Sequence, residues 1–288
     1  MKSKLVFAIT MLFFVTEAKT QNVVTKFKDA QAISLATNKP ILLKFKKSPN
    51  ALSKFQNVEY YNVSEIKELS KNFVILELLT DKPYSNDVKF LRRINNFKSF
   101  GGNVIDPLGN TIGNVRVATR SSGSKSDDRR IKKQIETLKY CSYDLSLFQE
   151  DYRAVIIKDD VFAKISLIEK YLNYSLYLDW YDSKREFIYV AAKYLDEFQN
   201  EKTIQHSKNS KEKLNLLNSY RNILNGKYRK AIKSISKLDA DAISEANKSL
   251  YFYIRYVANN KVKNKEIAKV WLNKLKERKD FNKMYLLS

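Results

Sequence analysis

The 288 residues include one cysteine and one histidine. With Cys141 alone, no intramolecular disulfide can form. With His206 alone, a zinc site built from several Cys and His ligands is excluded. No loop dense in Asp and Glu offers an oxygen cage, so neither metal nor cofactor is expected. A serine nucleophile needs an adjacent base, and His206 lies on a polar stretch far along the chain from Ser53. Gly (6) and Pro (4) are scarce as well. An all-β chain needs many tight turns and more of both residues, so helix is expected to dominate.

What is present begins at the N-terminus. Lys2 and Lys4 precede an apolar run, Leu5 to Val15, broken only by Thr10. Small residues follow around Ala18–Lys19–Thr20. This is the arrangement of a secretory signal peptide. The run is shorter than the roughly 20 residues that span a bilayer, and no Cys follows it, which excludes lipoprotein processing. The expectation is a cleaved signal over residues 1–20 and a protein exported to the periplasm or beyond.

The formal charge is +22, from 53 Lys and Arg against 31 Asp and Glu. Lys predominates, and with abundant Asn, Ile and Tyr this is what AT-rich codons supply. The cations are spread along the chain, which fits a solvated surface and gives no reason to expect nucleic acid. Peripheral contact with an anionic surface or polymer is the alternative.

Apolar spacing predicts a helix over 23–38 ending at Asn38–Lys39–Pro40, then a buried strand at Ile41–Phe45. Ser64 is the expected N-cap of a helix over Glu65–Lys71. A second buried strand covers Phe73–Leu78, and a short helix covers Asp87–Asn95. Apolar pieces on either side of Asp106–Pro107–Leu108–Gly109–Asn110 predict a β-hairpin, extended by Val115 and Val117. A helix follows over Arg129–Leu138. From about Tyr143 the apolar residues recur only at helical spacing, interrupted by polar stretches at Glu201–Lys213 and Asn259–Asn264.

The order α-β-α-β-α-β-β-α, with Ala32–Phe45, Asn57–Val74 and Val104–Gly109 in their places, resembles the thioredoxin-like family in its exported, disulfide-interchange branch. The resemblance covers roughly residues 25–139. It implies an α/β thioredoxin-like domain over 21–140, followed by an all-α bundle or short helical-repeat domain over 141–288. Within the latter, Tyr220–Leu224 with Asn225–Gly226–Lys227–Tyr228–Arg229–Lys230–Ala231–Ile232 resembles one tetratricopeptide repeat. A looser copy follows, with Asn225 to Asn260 spaced 35 residues apart against a family period of about 34.

The family's redox pair, Cys-x-x-Cys, would fall at Asn50 and Ser53, and neither is cysteine. The family's cis-proline would fall near Gly101, where no proline stands. The resemblance thus implies a degenerate redox site and a protein that is not an enzyme. Cys141 is read first as a small buried hydrophobe. An exposed thiol serving redox or chaperone-like chemistry on partner thiols is the second reading. Tyr174, Tyr177, Trp180 and Tyr181 recur near helical spacing. They are candidates for binding a protein partner in the cell envelope, against the alternative of an inter-helix seam. The leading expectation is a non-catalytic binding or scaffold protein of the envelope. The rivals are a redox protein using Cys141 and a binder of anionic polymer.

Overall fold

The computed structural model describes residues 23–46, 61–79, 85–94, 102–115, 125–178, 181–200 and 208–278. Contacts divide the chain into two compact units, one running to Ile156 and the other starting at Ile157. The first unit holds α1 (Phe27–Thr37), β1 (Ile41–Lys46), α2 (Val63–Leu69), β2 (Val74–Leu79), α3 (Asn86–Ile94), β3 (Gly102–Ile105), β4 (Thr111–Val115) and α4 (Lys125–Lys139). It is a mixed α/β unit with one four-stranded sheet in the order β2-β1-β3-β4. β1 runs parallel to β2 and antiparallel to β3, and β4 runs antiparallel to β3.

Strand side chains alternate between the two faces of a sheet. Ile41, Leu43, Phe45, Val74, Leu76 and Leu78 share one face and pack with Phe27, Ala30, Val88 and Leu91 of α1 and α3. Each of these side chains larger than Ala30, once buried, contributes about 1.5–3 kcal/mol. Leu42, Ile75 and Val104 alternate to the opposite face and are also buried. Lys44 and Glu77 follow in that same phase. They are paired in register across β1 and β2, with Nζ 3.0 Å from Oε2 and side-chain exposures of only 11% and 17%.

The starts of two helices differ from expectation, each for a local reason. The first helix begins at Phe27 and not at residue 23. Val24 is instead a parallel bridge to Leu76, and its N–H donates to the Ile75 carbonyl. The next helix is capped by Asn62, not Ser64. The Asn62 side chain accepts from the Glu65 N–H, and the Glu65 carboxylate accepts from the Asn62 N–H, a reciprocal capping box. Ser64 is left inside the helix and donates its hydroxyl to Asn62 Oδ1. The hairpin turn closes where expected. The Asp106 carboxylate accepts from the N–H groups of Leu108 and Asn110, and Gly109 sits at φ +86°.

The boundary at 140/141 also moves, to 156/157. Tyr143, Leu145, Phe148 and Tyr152 are buried. The Leu145 N–H donates to the Asn38 carbonyl, and the Gln149 amide donates to the Leu35 carbonyl. The segment therefore belongs to the sheet unit, since it hydrogen-bonds the end of α1. A further helix, α5 (Gln149–Lys158), runs across the division.

The second unit contains α6 (Val161–Tyr174), α7 (Tyr181–Asn200), α8 (Lys208–Leu224), α9 (Tyr228–Ile235), α10 (Lys248–Lys261) and α11 (Lys265–Lys276). Among the described residues no strand follows β4. The helices pair as α6/α7, α8/α9 and α10/α11. The first helix of each later pair packs on both helices of the pair before it. The two polar stretches read as linkers are partly helical, because α8 starts at Lys208 and α10 continues to Lys261.

The last two pairs are copies of one turn. The Lys227 N–H donates to the Asn222 carbonyl at 2.8 Å, and the Asn264 N–H donates to the Asn259 carbonyl at 2.9 Å. Gly226 has φ +71° and Lys263 has φ +64°. Asn222 pairs with Asn259, Gly226 with Lys263, and Ala231 with Ala268. The spacing is therefore 37 residues at each (259 − 222, 263 − 226, 268 − 231), not the 35 read from Asn225 and Asn260.

The copies differ in where they are apolar. Leu224, Tyr228 and Ile232 are half-buried, while their equivalents Lys261, Lys265 and Lys269 are exposed. A lysine in the left-handed conformation costs about 1–2 kcal/mol that glycine avoids. Lys263→Gly is therefore expected to stabilise the protein by roughly 0.5–1 kcal/mol, after the added freedom of the unfolded chain is deducted. A higher urea midpoint at unchanged slope would register it. An unchanged or lower midpoint would mean the two turns are not equivalent.

Candidate docking surface

The two degenerate redox positions, Asn50 and Ser53, and Gly101 lie outside the described residues, as does His206. Cys141 is described. It follows the end of α4, where its N–H donates to the Leu138 carbonyl at 2.8 Å, and only 1% of its surface is exposed. Its sulfur packs on β4. A Cβ placed on Gly113 would stand 3.0 Å from the Cys141 Sγ. A thiol seated this way is a packing group, out of reach of a partner's disulfide. Among the described residues, no cluster of three or more His, Cys, Asp or Glu is placed to hold a metal ion. No helix among them is long and apolar enough to cross a membrane.

Tyr174 and Tyr177 sit at and just beyond the end of α6. The Tyr174 ring packs at 5.2 Å from Phe187 of α7. Tyr171, fully buried, lies 5.7 Å from Phe187 and stacks at 6.5 Å on Tyr194. These rings form a seam between α6 and α7, and Tyr177, three residues past the end of α6, is 46% exposed. Trp180 and the Tyr181 side chain lie outside the description. The structure thus brings Tyr174 into the helix interface and leaves Tyr177 at the surface. A separate pair of rings, Tyr220 of α8 and Tyr253 of α10, meets edge to face at 5.8 Å. Burial, chiefly, pushes the Tyr220 hydroxyl pKa upward, with the nearby Tyr253 and Glu169 adding to it.

Polar bonds fix the order of the helices. The Glu212 carboxylate, 8% exposed, accepts from the Ser244 hydroxyl at 2.6 Å and the Asn247 amide at 2.7 Å. That ties α8 to the loop leading into α10. Lys213 pairs with Glu169 of α6 at 2.8 Å. After α11, the Arg278 guanidinium returns to Glu245, which Lys248 also contacts. Together Lys248 and Arg278 hold the Glu245 carboxyl down to about 2.

Two sets of exposed side chains lie on the second helices of the last two pairs. On α9 and its flanks, Lys227, Arg229, Lys230, Lys233 and Lys237 are all exposed. Among the described residues, none of the five pairs with a carboxylate. Arg229 and Lys233 are one turn apart on α9 and form a ridge, and Lys237 follows two residues past the helix end. On α11 the positions equivalent to Lys230 and Lys233 are Ile267 and Val270, exposed by 45% and 53%. Beside them Trp271 is half-buried, with the Arg255 guanidinium 5.2 Å and the Lys274 amine 5.0 Å from its ring centre. The sequence reading missed this surface. Its signal was the same-sign spacing of Arg229, Lys233 and Lys237, hidden within a chain that is basic throughout.

Comparison of the chain with protein-family models, with curated proteins and with solved structures finds no match.

Proposed function

We propose that this chain is an exported, non-catalytic binding protein of the cell envelope. Its sheet unit serves as a thioredoxin-like scaffold without redox cysteines, and its helical unit docks a protein partner. The observation that carries this reading is the stacking of three successive helix pairs, each laid on the one before. Units that bury their apolar faces on their neighbours leave an extended outer surface for recognition, in the manner of tetratricopeptide-like repeats. The strand order β2-β1-β3-β4, with one parallel and two antiparallel pairings, supports the thioredoxin-like scaffold. Burial of Cys141 weighs against a thiol mechanism.

Photo-crosslinking groups placed at Lys233 and Tyr189, both exposed in the helical unit, should yield discrete protein adducts in envelope extract. The same group at Glu150, exposed in the sheet unit, should yield none. Adducts from Glu150 alone would move the docking role to the sheet unit. N-terminal sequencing of the native protein should begin near residue 21, and an intact Met1 on the exported form would refute cleavage.

A second expectation concerns the thiol. In the native protein Cys141 should react with an aromatic disulfide reagent about 100-fold more slowly than in urea, since reaction must wait for local opening. The mature protein should also not accelerate insulin reduction by dithiothreitol. Fast native labelling, or turnover abolished by Cys141→Ser, would restore the redox reading.

A further inference from the structure

In the helical unit, the outer side of the last two helix pairs combines unpaired cations with exposed apolar side chains. The 37-residue equivalence places the α9 ridge and the α11 strip at the same positions of successive copies, and both helices pack on α10. Three cations on α9, Arg229, Lys230 and Lys233, with Lys227 and Lys237 at its two ends, repel one another, and none of the five is ion-paired with a carboxylate among the described residues. In the next copy the equivalents of Lys230 and Lys233 become Ile267 and Val270. Two half-exposed apolar side chains there are equally unexplained by folding, since the buried side of α11 is supplied by Ala268 and Leu275.

We infer that this outer side binds an acidic, amphipathic segment of a partner protein. Its carboxylates would meet Arg229, Lys233 and Lys237, and its apolar side chains would rest on Ile267 and Val270. The inference rests on the docking role proposed above and names the chemistry of the partner. Charge complementarity selects an acidic occupant, because α9 and its two flanks carry five cations and no carboxylate between residues 227 and 237. The apolar strip selects an occupant with an apolar side, which a simple polyanion lacks. A bilayer is the poorer fit. The strip offers no bulky side chain projecting toward an acyl layer, since Trp271 is half-buried and lies between Arg255 and Lys274.

The test uses the full mature chain and a synthetic helical peptide with Leu on one side and Glu on the other. Its controls are the same peptide with Lys for Glu, poly-glutamate, and vesicles of phosphatidylglycerol and phosphatidylcholine. The native chain should bind the Glu/Leu peptide and not the Lys/Leu peptide. Arg229→Glu with Lys233→Glu should weaken binding about tenfold, since two attractions of a few tenths of a kcal/mol each become repulsions. Ile267→Ser with Val270→Ser should weaken the Glu/Leu peptide and leave poly-glutamate unchanged. The control reversal Lys261→Glu with Lys265→Glu, also on exposed residues, should change binding less than about twofold.

Equal losses for ridge and control variants would overturn the inference in favour of diffuse net charge. So would a native chain that ignores the Glu/Leu peptide, or one that binds anionic vesicles more tightly and loses them with the same variants. Crosslinks from Lys233 or Tyr189 to a protein partner, alongside a failed peptide test, would leave the docking role standing and remove only the acidic chemistry.

Discussion

Replacing Gly109 with alanine should cost roughly 2–5 kcal/mol of stability, from about 1–2 for a left-handed residue and about 1–3 for overpacking. Gly109 closes the β3–β4 turn at φ +86°, and a Cβ there would stand 2.9 Å from the Leu91 Cδ2, 3.4 Å from the Phe27 Cζ and 3.5 Å from the Ile94 Cδ1. Leu91 and Phe27 belong to the packed face of the sheet, so neither yields cheaply. Gly226→Ala supplies the control. That residue has φ +71° and nothing within 4 Å of its would-be Cβ, so it should lose only the conformational part. Chemical denaturation of both variants separates the two costs. Equal losses would show that contact with α1 and α3 contributes nothing at Gly109.

The second large effect should come from Lys44 and Glu77. Removing one partner of a buried ion pair strands a desolvated charge, which costs about 3–5 kcal/mol when burial is complete. Residual exposures of 11% and 17% reduce this, so Glu77→Leu should destabilise by roughly 2–4 kcal/mol. Lys44→Met with Glu77→Leu should recover most of that loss, because an apolar pair of similar volume avoids desolvation altogether. The coupling read from a double-mutant cycle is the measured quantity. A double variant as unstable as the sum of its singles would mean the pair is held by something other than mutual attraction.

Lys44 also marks how far the sequence could be read. Ile41–Leu42–Leu43–Lys44–Phe45 was legible as a buried strand from its apolar run. Its one charge became intelligible only with the register that sets Glu77 opposite. Local signals carried well. The Asp-Pro-Leu-Gly-Asn turn needed only the Asp106 side chain and a glycine, both adjacent in sequence. Where two neighbours compete, as Asn62 and Ser64 do for the cap, composition does not choose, and the reciprocal bond to Glu65 decides. Long-range closures were not legible. The Glu212 carboxylate finds donors at Ser244 and Asn247, and the segment around Phe148 returns to α1 through Gln149.

The docking surface shows the same division. The tyrosines of the stripe stood out by their spacing, yet Tyr171 and Tyr174 are spent largely on the seam between α6 and α7. The ridge on α9 was invisible because lysine is common everywhere in this chain. It became visible only when each lysine could be sorted by the position it occupies in its repeat.

The lysines at 261, 265 and 269 have a consequence for how these molecules behave at high concentration. A stack in which every layer is apolar on both sides would offer its last layer to another molecule's first, and chains would grow end to end into filaments. Here the layer that would receive the next one carries three cations, where the preceding copy has Leu224, Tyr228 and Ile232. A second molecule approaching that end would have to bury charge against a protein that is itself strongly positive. The lysines therefore make this side of the last described pair a poor seat for a further apolar layer. Converting Lys261, Lys265 and Lys269 to Leu, Tyr and Ile should increase self-association, read by light scattering against the native chain at the same concentration.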